Sequence, residues 1–405
     1  MAHDKGSFQD IVKRRQNEGF IGRDGQLARF RANLAVPVRD PERRFVFSIH
    51  GDGGVGKTFL VRRLQRLVEE QGGATAYLDE SVFGVPEAMR AIADRLTRQG
   101  EDFSSYLKLH DTYQRRRHEV ESDPKAPIGA ASFMTRVVVK AGMDAVQSVP
   151  MVGGLAAEVD TDGLAEQADE LRKFLGAKFR RHEDATMLLS PLQVLTPVFV
   201  RDLAKVSSRR LVALFFDTYE QTGPILDGWL RSVLDEEYGA LPENILITTA
   251  GRHALDKSDW ARYLGLLVEV PLAPFTDAEA REFLASKGVT DARVVDVILN
   301  VSGRLPLLVA MLAEGQPTDP DAVGDPSGDA VERFLKWEND PRRRALAMAG
   351  AIPRVLDEDV LGVLADADDD LTTLFAWLRS LPFVAHQGGR CQYHDVQRNS
   401  YNDRH

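Results

Sequence analysis

The sequence predicts an α/β fold: a parallel sheet with helices on both faces, followed by a small helical domain and a C-terminal module of helices and a hairpin. Three observations carry that expectation. Short apolar, β-branched runs alternate with segments of helical periodicity up to Pro271. A glycine-rich loop joins the first of these runs to a helical segment. After Pro271 the pattern turns helical and closes on two short runs around Gly388-Gly389.

The expected strands are Phe45–Ile49, Ala74–Leu78, Leu211–Phe216, Ile245–Thr249 and Leu267–Val270. The first feeds the loop Gly51-Asp52-Gly53-Gly54-Val55-Gly56-Lys57-Thr58, which satisfies the pattern of glycine, four residues, glycine, lysine, serine or threonine. Glycines let backbone N–H groups curl around phosphate oxygens, Lys57 reaches the β- and γ-phosphates, and the Thr58 hydroxyl is a ligand for Mg²⁺. Phe59 continues the loop into a helix with Leu60, Val61, Leu64, Leu67 and Val68 on one face. Strand, glycine loop and helix stand in the order that an NTP-binding P-loop requires.

Residues 1–19 read as an N-terminal helical arm and 20–275 as a P-loop nucleotide-binding domain with a mostly helical insertion over about residues 100–195. Glycine and alanine are dense over 127–165, the segment expected to be mobile. Thr276-Asp277-Ala278-Glu279 is a capping-box pattern that opens a helix carrying Phe283 and Leu284. Val294–Val301 and Leu307–Leu312 complete a helical domain over 276–314. Residues 315–329, rich in proline, glycine and aspartate, form a linker. Helical patterns at Val331–Trp337, Arg343–Ala349, Asp357–Leu364 and Leu371–Leu381 precede a hairpin over Phe383–Tyr393, so 330–405 is expected to be a winged-helix domain.

Composition sets limits on function. The chain has 405 residues, 43% hydrophobic and 28% charged, which suits several packed domains. No run approaches the roughly 18 apolar residues of a membrane helix, and the stretch Val137–Leu155 is broken by Lys140, Asp144 and Pro150. Met1–Asp10 carries mixed charge and no apolar core, so a cytoplasmic protein without a secretory signal is expected. The single cysteine, Cys391, excludes an internal disulfide framework and a cysteine-based zinc site. A net charge of −10 argues against a nucleic-acid footprint over the whole chain. The runs Arg115-Arg116-Arg117, Arg180-Arg181 and Arg342-Arg343-Arg344 read better as solvated helix faces than as phosphate-contacting patches.

A phosphate loop needs a distant acid at the C-terminal end of an adjacent buried strand. Leu211-Val212-Ala213-Leu214-Phe215-Phe216-Asp217 supplies it, because six apolar residues ending in an aspartate do not bury that charge without a cation or donor. Asp217 is therefore the expected Mg²⁺-side acid. Glu220, three residues on, is the candidate for polarising an attacking water; its plainer reading is an acid at a helix start. The strand Ile245–Thr249 runs into Gly251-Arg252, and an arginine there can stabilise charge on the γ-phosphate. A surface arginine paired with an acid is the alternative for Arg252.

The ordered set of motifs resembles the STAND class of signal-transduction ATPases, which includes the NB-ARC and NACHT proteins of apoptosis and immunity. It consists of Phe20-Ile21-Gly22-Arg23-Asp24, the phosphate loop, the Asp217 strand, Gly251-Arg252, Gly303 to Pro306, and Tyr393-His394-Asp395. The resemblance implies ATP or ADP with Mg²⁺ as cofactors. It places Phe20, Ile21, Gly22 and Arg23 on the adenine and ribose side and packs Pro306 on the base. It also has His394 touch the β-phosphate of ADP and lock the winged helix. Each has a plain reading too: Phe20-Ile21 as a docking staple, Pro306 as a helix-start proline, His394 as a hairpin-end polar residue. Tyr393 stands for the family's methionine, Thr218 for a second aspartate, and Arg304 for a glycine. The family's effector domain ahead of Ile21 and sensor repeats after His394 are not among these residues, so a shortened chain is expected.

What the resemblance implies is an adenine-nucleotide-dependent switch with slow ATP hydrolysis, self-associating when ATP-bound and acting through an effector or sensor domain outside these residues. A bacterial defence or signalling role is implied in the same way. An ATP-dependent transcription regulator with a DNA-binding winged helix is the alternative; the acidic balance and the lack of a basic recognition helix near Leu371–Leu381 weigh against it. An AAA-type remodelling motor comes third, since no second sensor arginine is evident in the helical domain.

Overall fold

A strand of a parallel sheet that is covered on both faces has no polar side to present, so it reads as an unbroken apolar run. In the computed structural model every such run forms a strand. Residues 21–127, 130, 134, 161–320, 323, 340–350, 356, 358–364, 371–379, 384–387 and 390–393 are described. The chain divides into two compact units, one of residues 24–51 and 57–271, the other of residues 1–23, 52–56 and 272–405.

The first unit is built on α1 (Asp24–Ala35), β1 (Val46–His50), α2 (Lys57–Glu70), β2 (Ala74–Leu78) and α3 (Val85–Thr97). Then come α4 (Ser104–Glu121), α5 (Thr161–Lys178), α6 (His182–Leu189), α7 (Pro191–Ser207), β3 (Val212–Phe216), α8 (Tyr219–Leu234), β4 (Ile245–Gly251) and β5 (Leu267–Pro271). The five strands are all parallel, in the order β2-β3-β4-β1-β5. Their C-terminal ends share one edge, where an open parallel sheet places its ligand site. On one point the order corrects the sequence reading. Asp217 was expected on the strand adjacent to the loop strand, yet β4 lies between β1 and β3. Strand order is set by non-local pairing, which no local pattern encodes.

The expected insertion is mostly helical where it is described, and its helices share the core of the first unit. Phe103 at the N-cap of α4, Tyr106 of α4, Leu188 of α6 and Leu195 and Phe199 of α7 are buried in the same core as Val85 and Ile92 of α3 and Trp229 of α8. The aromatic rings interlock, with Tyr106 edge-on to Phe199 at 5.3 Å between centroids. Asp202 of α7, wholly buried, accepts the Tyr106 N–H in the first turn of α4 at 2.9 Å and binds Lys205 Nζ at 2.7 Å. A carboxylate from a distant helix thereby caps α4.

The second unit contains α9 (Asp277–Ser286), α10 (Ala292–Ser302), α11 (Pro306–Glu314), α12 (Pro341–Ala349), α13 (Glu358–Leu364) and α14 (Leu371–Arg379). Antiparallel strands β6 (Val384–Gln387) and β7 (Arg390–Tyr393) follow, in the register Val384↔Tyr393. The capping box forms as expected, with Glu279 N–H donating to Thr276 Oγ1 at 3.2 Å and Thr276 N–H to Glu279 Oε2 at 2.8 Å. Phe275, Leu284, Val294, Ile298 and Val309 make the core, and Ile21 packs against it. The arm 1–19, the helix expected at Val331–Trp337, most of 127–165 and part of the 315–329 linker lie outside the described residues. No single helix among the described residues is long and apolar enough to cross a membrane.

Candidate nucleotide site

β1 ends at His50 and the chain turns through Gly51–Gly56 into α2, whose first residue is Lys57. Gly51, Gly54 and Gly56 all have positive φ, as a loop that curls its amides inward requires. At Gly54 a Cβ would lie 3.1 Å from Leu307 Cβ and 3.2 Å from Leu305 Cδ2, so the position needs both the conformation and the bare backbone. The Leu307 N–H, in the first turn of α11, donates to Gly54 O at 3.2 Å. Lys57 Nζ donates to Gly51 O at 2.6 Å. Val55 is buried, whereas Thr58 and Phe59 are exposed at the start of α2.

Asp217 follows β3 and is 3% exposed. Its Oδ1 accepts the Thr218 N–H at 2.9 Å, and its Oδ2 accepts the Tyr77 hydroxyl of β2 at 2.7 Å. Burial, and then the Asp217 charge, push the Tyr77 phenol far above its ordinary pKa, so it remains a donor. Thr218, the N-cap of α8, holds φ at 50°, a left-handed value that a β-branched residue rarely adopts. Its Oγ1 donates to Glu80 Oε2 at 2.8 Å. Glu220 lies in the first turn of α8. Its Oε1 is 3.8 Å from Arg252 Nε, just past the end of β4, and its Oε2 is buried without a hydrogen-bond partner. The structure thus brings Asp217, Glu220 and Arg252 to one edge of the sheet. The sequence reading missed Tyr77, Glu80 and the left-handed Thr218. The signal was present in Tyr77, a phenol inside an otherwise buried strand, whose hydroxyl had to find a partner.

The other expected ligands are placed differently from one another. Arg23 is buried with φ of 64°, and its guanidinium donates to Val55 O at 3.0 Å and Ala273 O at 2.7 Å beside the Phe275 ring. Burial pulls its pKa below the ordinary arginine value, against the opposing pull of Glu279. The Arg23 N–H donates to Glu279 Oε1 at 2.9 Å. Desolvation opposes the Glu279 charge, but the N–H groups of Arg23 and Thr276 outweigh it and hold the carboxyl below its usual range. Gly22, with φ of 76°, leaves only 2.5 Å between a built Cβ and Glu279 Oε1. Pro306 occupies the first position of α11, the place its plain reading gave it. Phe20 and His394 lie outside the described residues.

The loop implies a nucleotide with Mg²⁺, and the residues fit that group. A buried carboxylate already held by two donors, an orphaned buried Glu220 oxygen and an arginine stand at the same sheet edge. Among the described residues no cluster of three or more His, Cys, Asp or Glu could hold a metal. Mg²⁺ with a nucleotide needs none, since it takes one or two protein ligands beside phosphates and water.

A family model described as an AAA ATPase domain matches residues 19–232, more than half of the chain. The chain belongs to this ATPase family. Its match spans the phosphate loop, Asp217 and Glu220 of this AAA ATPase domain, and it makes the protein a P-loop NTPase. The match bears out the P-loop NTPase expected from the loop Gly51–Thr58. No curated protein matches the chain. Similar solved structures include a Walker-type ATPase of Pyrococcus abyssi (11% identity, TM-score 0.44, 94% of this chain and 95% of that one). Another is the RuvB Holliday junction branch migration motor of Thermotoga maritima (11%, 0.40, 95% and 95%). A third is a STAND protein with a tetratricopeptide repeat sensor from Pyrococcus horikoshii (12%, 0.33, 95% and 43%). Likenesses this low assign no function.

Proposed function

We propose that this AAA-type ATPase is an adenine-nucleotide-dependent switch of the STAND kind, which holds ATP or ADP and hydrolyses ATP slowly. The observation that carries the reading is the pairing of Glu220 with Arg252 at 3.8 Å. The acid expected to polarise water is engaged by the cation expected to sense the γ-phosphate, and Thr218 supplies no second carboxylate. Such a site favours retention over rapid turnover. In this reading the loop amides and Lys57 hold the phosphates, Thr58 and Asp217 hold Mg²⁺, Glu220 orients water and Arg252 stabilises developing charge. Bound Mg²⁺ supplies charge neutralisation on the phosphate oxygens.

Exchange of ADP for ATP would shift a conformational equilibrium by its differential affinity for the two states. Ile21, Gly22, Arg23 and Pro306 on the base side, His394 on the β-phosphate, a winged helix over 330–405, self-association in the ATP state, a cytoplasmic location and an outside effector or sensor belong to this proposal. The test is the nucleotide released on denaturing the purified protein, together with steady-state turnover. Retained ADP and slow turnover support the switch. Failure of the parent chain to bind any adenine nucleotide refutes it, and turnover of several per second points to a motor instead. A DNA-binding role is checked by a mobility shift with random duplex at low salt.

A further inference from the structure

Beyond the loop, the acid and the arginine, a second layer converges on Asp217 from β2. Tyr77 is 5% exposed, and its hydroxyl donates to Asp217 Oδ2. The face of its ring carries the Arg62 guanidinium, 3.2 Å from the centroid. Arg62 belongs to α2, the helix that begins with Lys57 and Thr58. Two residues past the end of β2, Glu80 accepts the Thr218 hydroxyl and braces a left-handed threonine next to the carboxylate. The strained backbone persists because both sides of the Asp217-Thr218 pair are tied to the same strand end.

We propose that Tyr77, assisted by Glu80, is a positioning residue that aims the Asp217 carboxylate and couples it through Arg62 to the helix carrying Thr58, so that the two protein groups assigned to Mg²⁺ are held as one unit. The inference rests on the nucleotide reading above and deepens it. Tyr77 itself touches neither nucleotide nor metal in this assignment. Its hydroxyl fixes which way the carboxylate faces, and its ring fixes where the helix start stands relative to that carboxylate. Tyr77→Phe removes the hydroxyl and keeps the ring and its arginine.

The experiment is calorimetric titration of ADP into the full chain, first in EDTA and then across a Mg²⁺ series. The Mn²⁺ resonance spectrum of the ADP-loaded protein is recorded beside it. In Tyr77→Phe, ADP affinity in EDTA stays within about twofold of the parent, while the Mg²⁺ concentration for half-maximal tightening rises roughly tenfold, the value of one hydrogen bond to a charged group. The bound Mn²⁺ spectrum changes in step. Glu80→Ala gives a smaller rise of the same sign, and it decides the matter if Tyr77→Phe fails to fold. A Mg²⁺ dependence unchanged or lowered in the folded variants overturns the inference while leaving the nucleotide reading in place. Absence of ADP binding in the parent chain overturns both.

Discussion

Replacing Gly22 by alanine tests how the Ile21-Gly22-Arg23 segment is held. The added Cβ would stand 2.5 Å from Glu279 Oε1 and 2.9 Å from Glu279 Cδ, at a φ of 76°. Left-handed backbone costs an alanine about 1–2 kcal/mol relative to glycine. Glu279 cannot simply turn aside, because it closes the capping box on Thr276 and accepts the Arg23 N–H. Moving it forfeits a cap worth about 1 kcal/mol. Together the two effects cost about 2–3 kcal/mol, a 30- to 150-fold rise in local opening. Hydrogen exchange read by mass spectrometry over residues 276–286 reports that opening. In a Glu279→Ala background the cap is already absent, so Gly22→Ala should then cost only the backbone term, about 1–2 kcal/mol. An identical increment in both backgrounds would refute the clash and leave backbone strain as the whole effect.

Lys57→Ala is expected to abolish ADP binding in equilibrium dialysis, whereas Glu220→Gln should lower steady-state hydrolysis about 100-fold and leave ADP binding in place. His394→Ala should shorten ADP retention in a filter-binding chase if the β-phosphate assignment holds. Asp202→Ala removes the acceptor from the α4 N-terminus and should cost about 1–3 kcal/mol in urea denaturation. His110, buried between Tyr106 and Tyr113 with the Arg90 guanidinium beside it, has its pKa pushed down to about 4, by burial first and Arg90 second. The folded value lies below the unfolded one of about 6.5, so stability is full above about pH 6.5 and declines as pH falls toward 4. The total is about 3 kcal/mol. His110→Gln should flatten the stability profile over that window, and an unchanged slope would show that other groups set it.

β1 to β4 were legible to within a residue or two because burial leaves an apolar run with abrupt ends, whereas β5, at the sheet edge, alternates buried and half-exposed residues. Val212–Phe216 stops at Asp217 for the same reason that Asp217 could be singled out as a candidate. The helix at Asp277 was legible because its cap is encoded within four residues. Strand order was not, since β4 takes its place between β1 and β3 through partners far along the chain. Arg23 shows the same limit in the site. Its guanidinium is held by the carbonyls of Val55 and Ala273, and nothing near Arg23 in the sequence announces either. Tyr77 reaches across 140 positions to Asp217. Candidate residues at strand ends could be singled out from pattern, whereas their distant hydrogen-bond partners could be found only from the fold.

The clasp around Arg23 also sets a schedule. Its partners Ala273 and Glu279 lie 250 and 256 positions downstream, and a ribosome adding about 5–20 residues per second needs roughly 10–50 s to reach them. The sheet of residues 24–271 can be synthesised in full before Arg23 has an acceptor at Ala273. During that interval the newborn chain carries its phosphate loop without the Ala273 carbonyl and Glu279 carboxylate contacts that later seat the segment before it. Nucleotide offered to ribosome-bound chains stalled before and after residue 279 would therefore meet two different proteins.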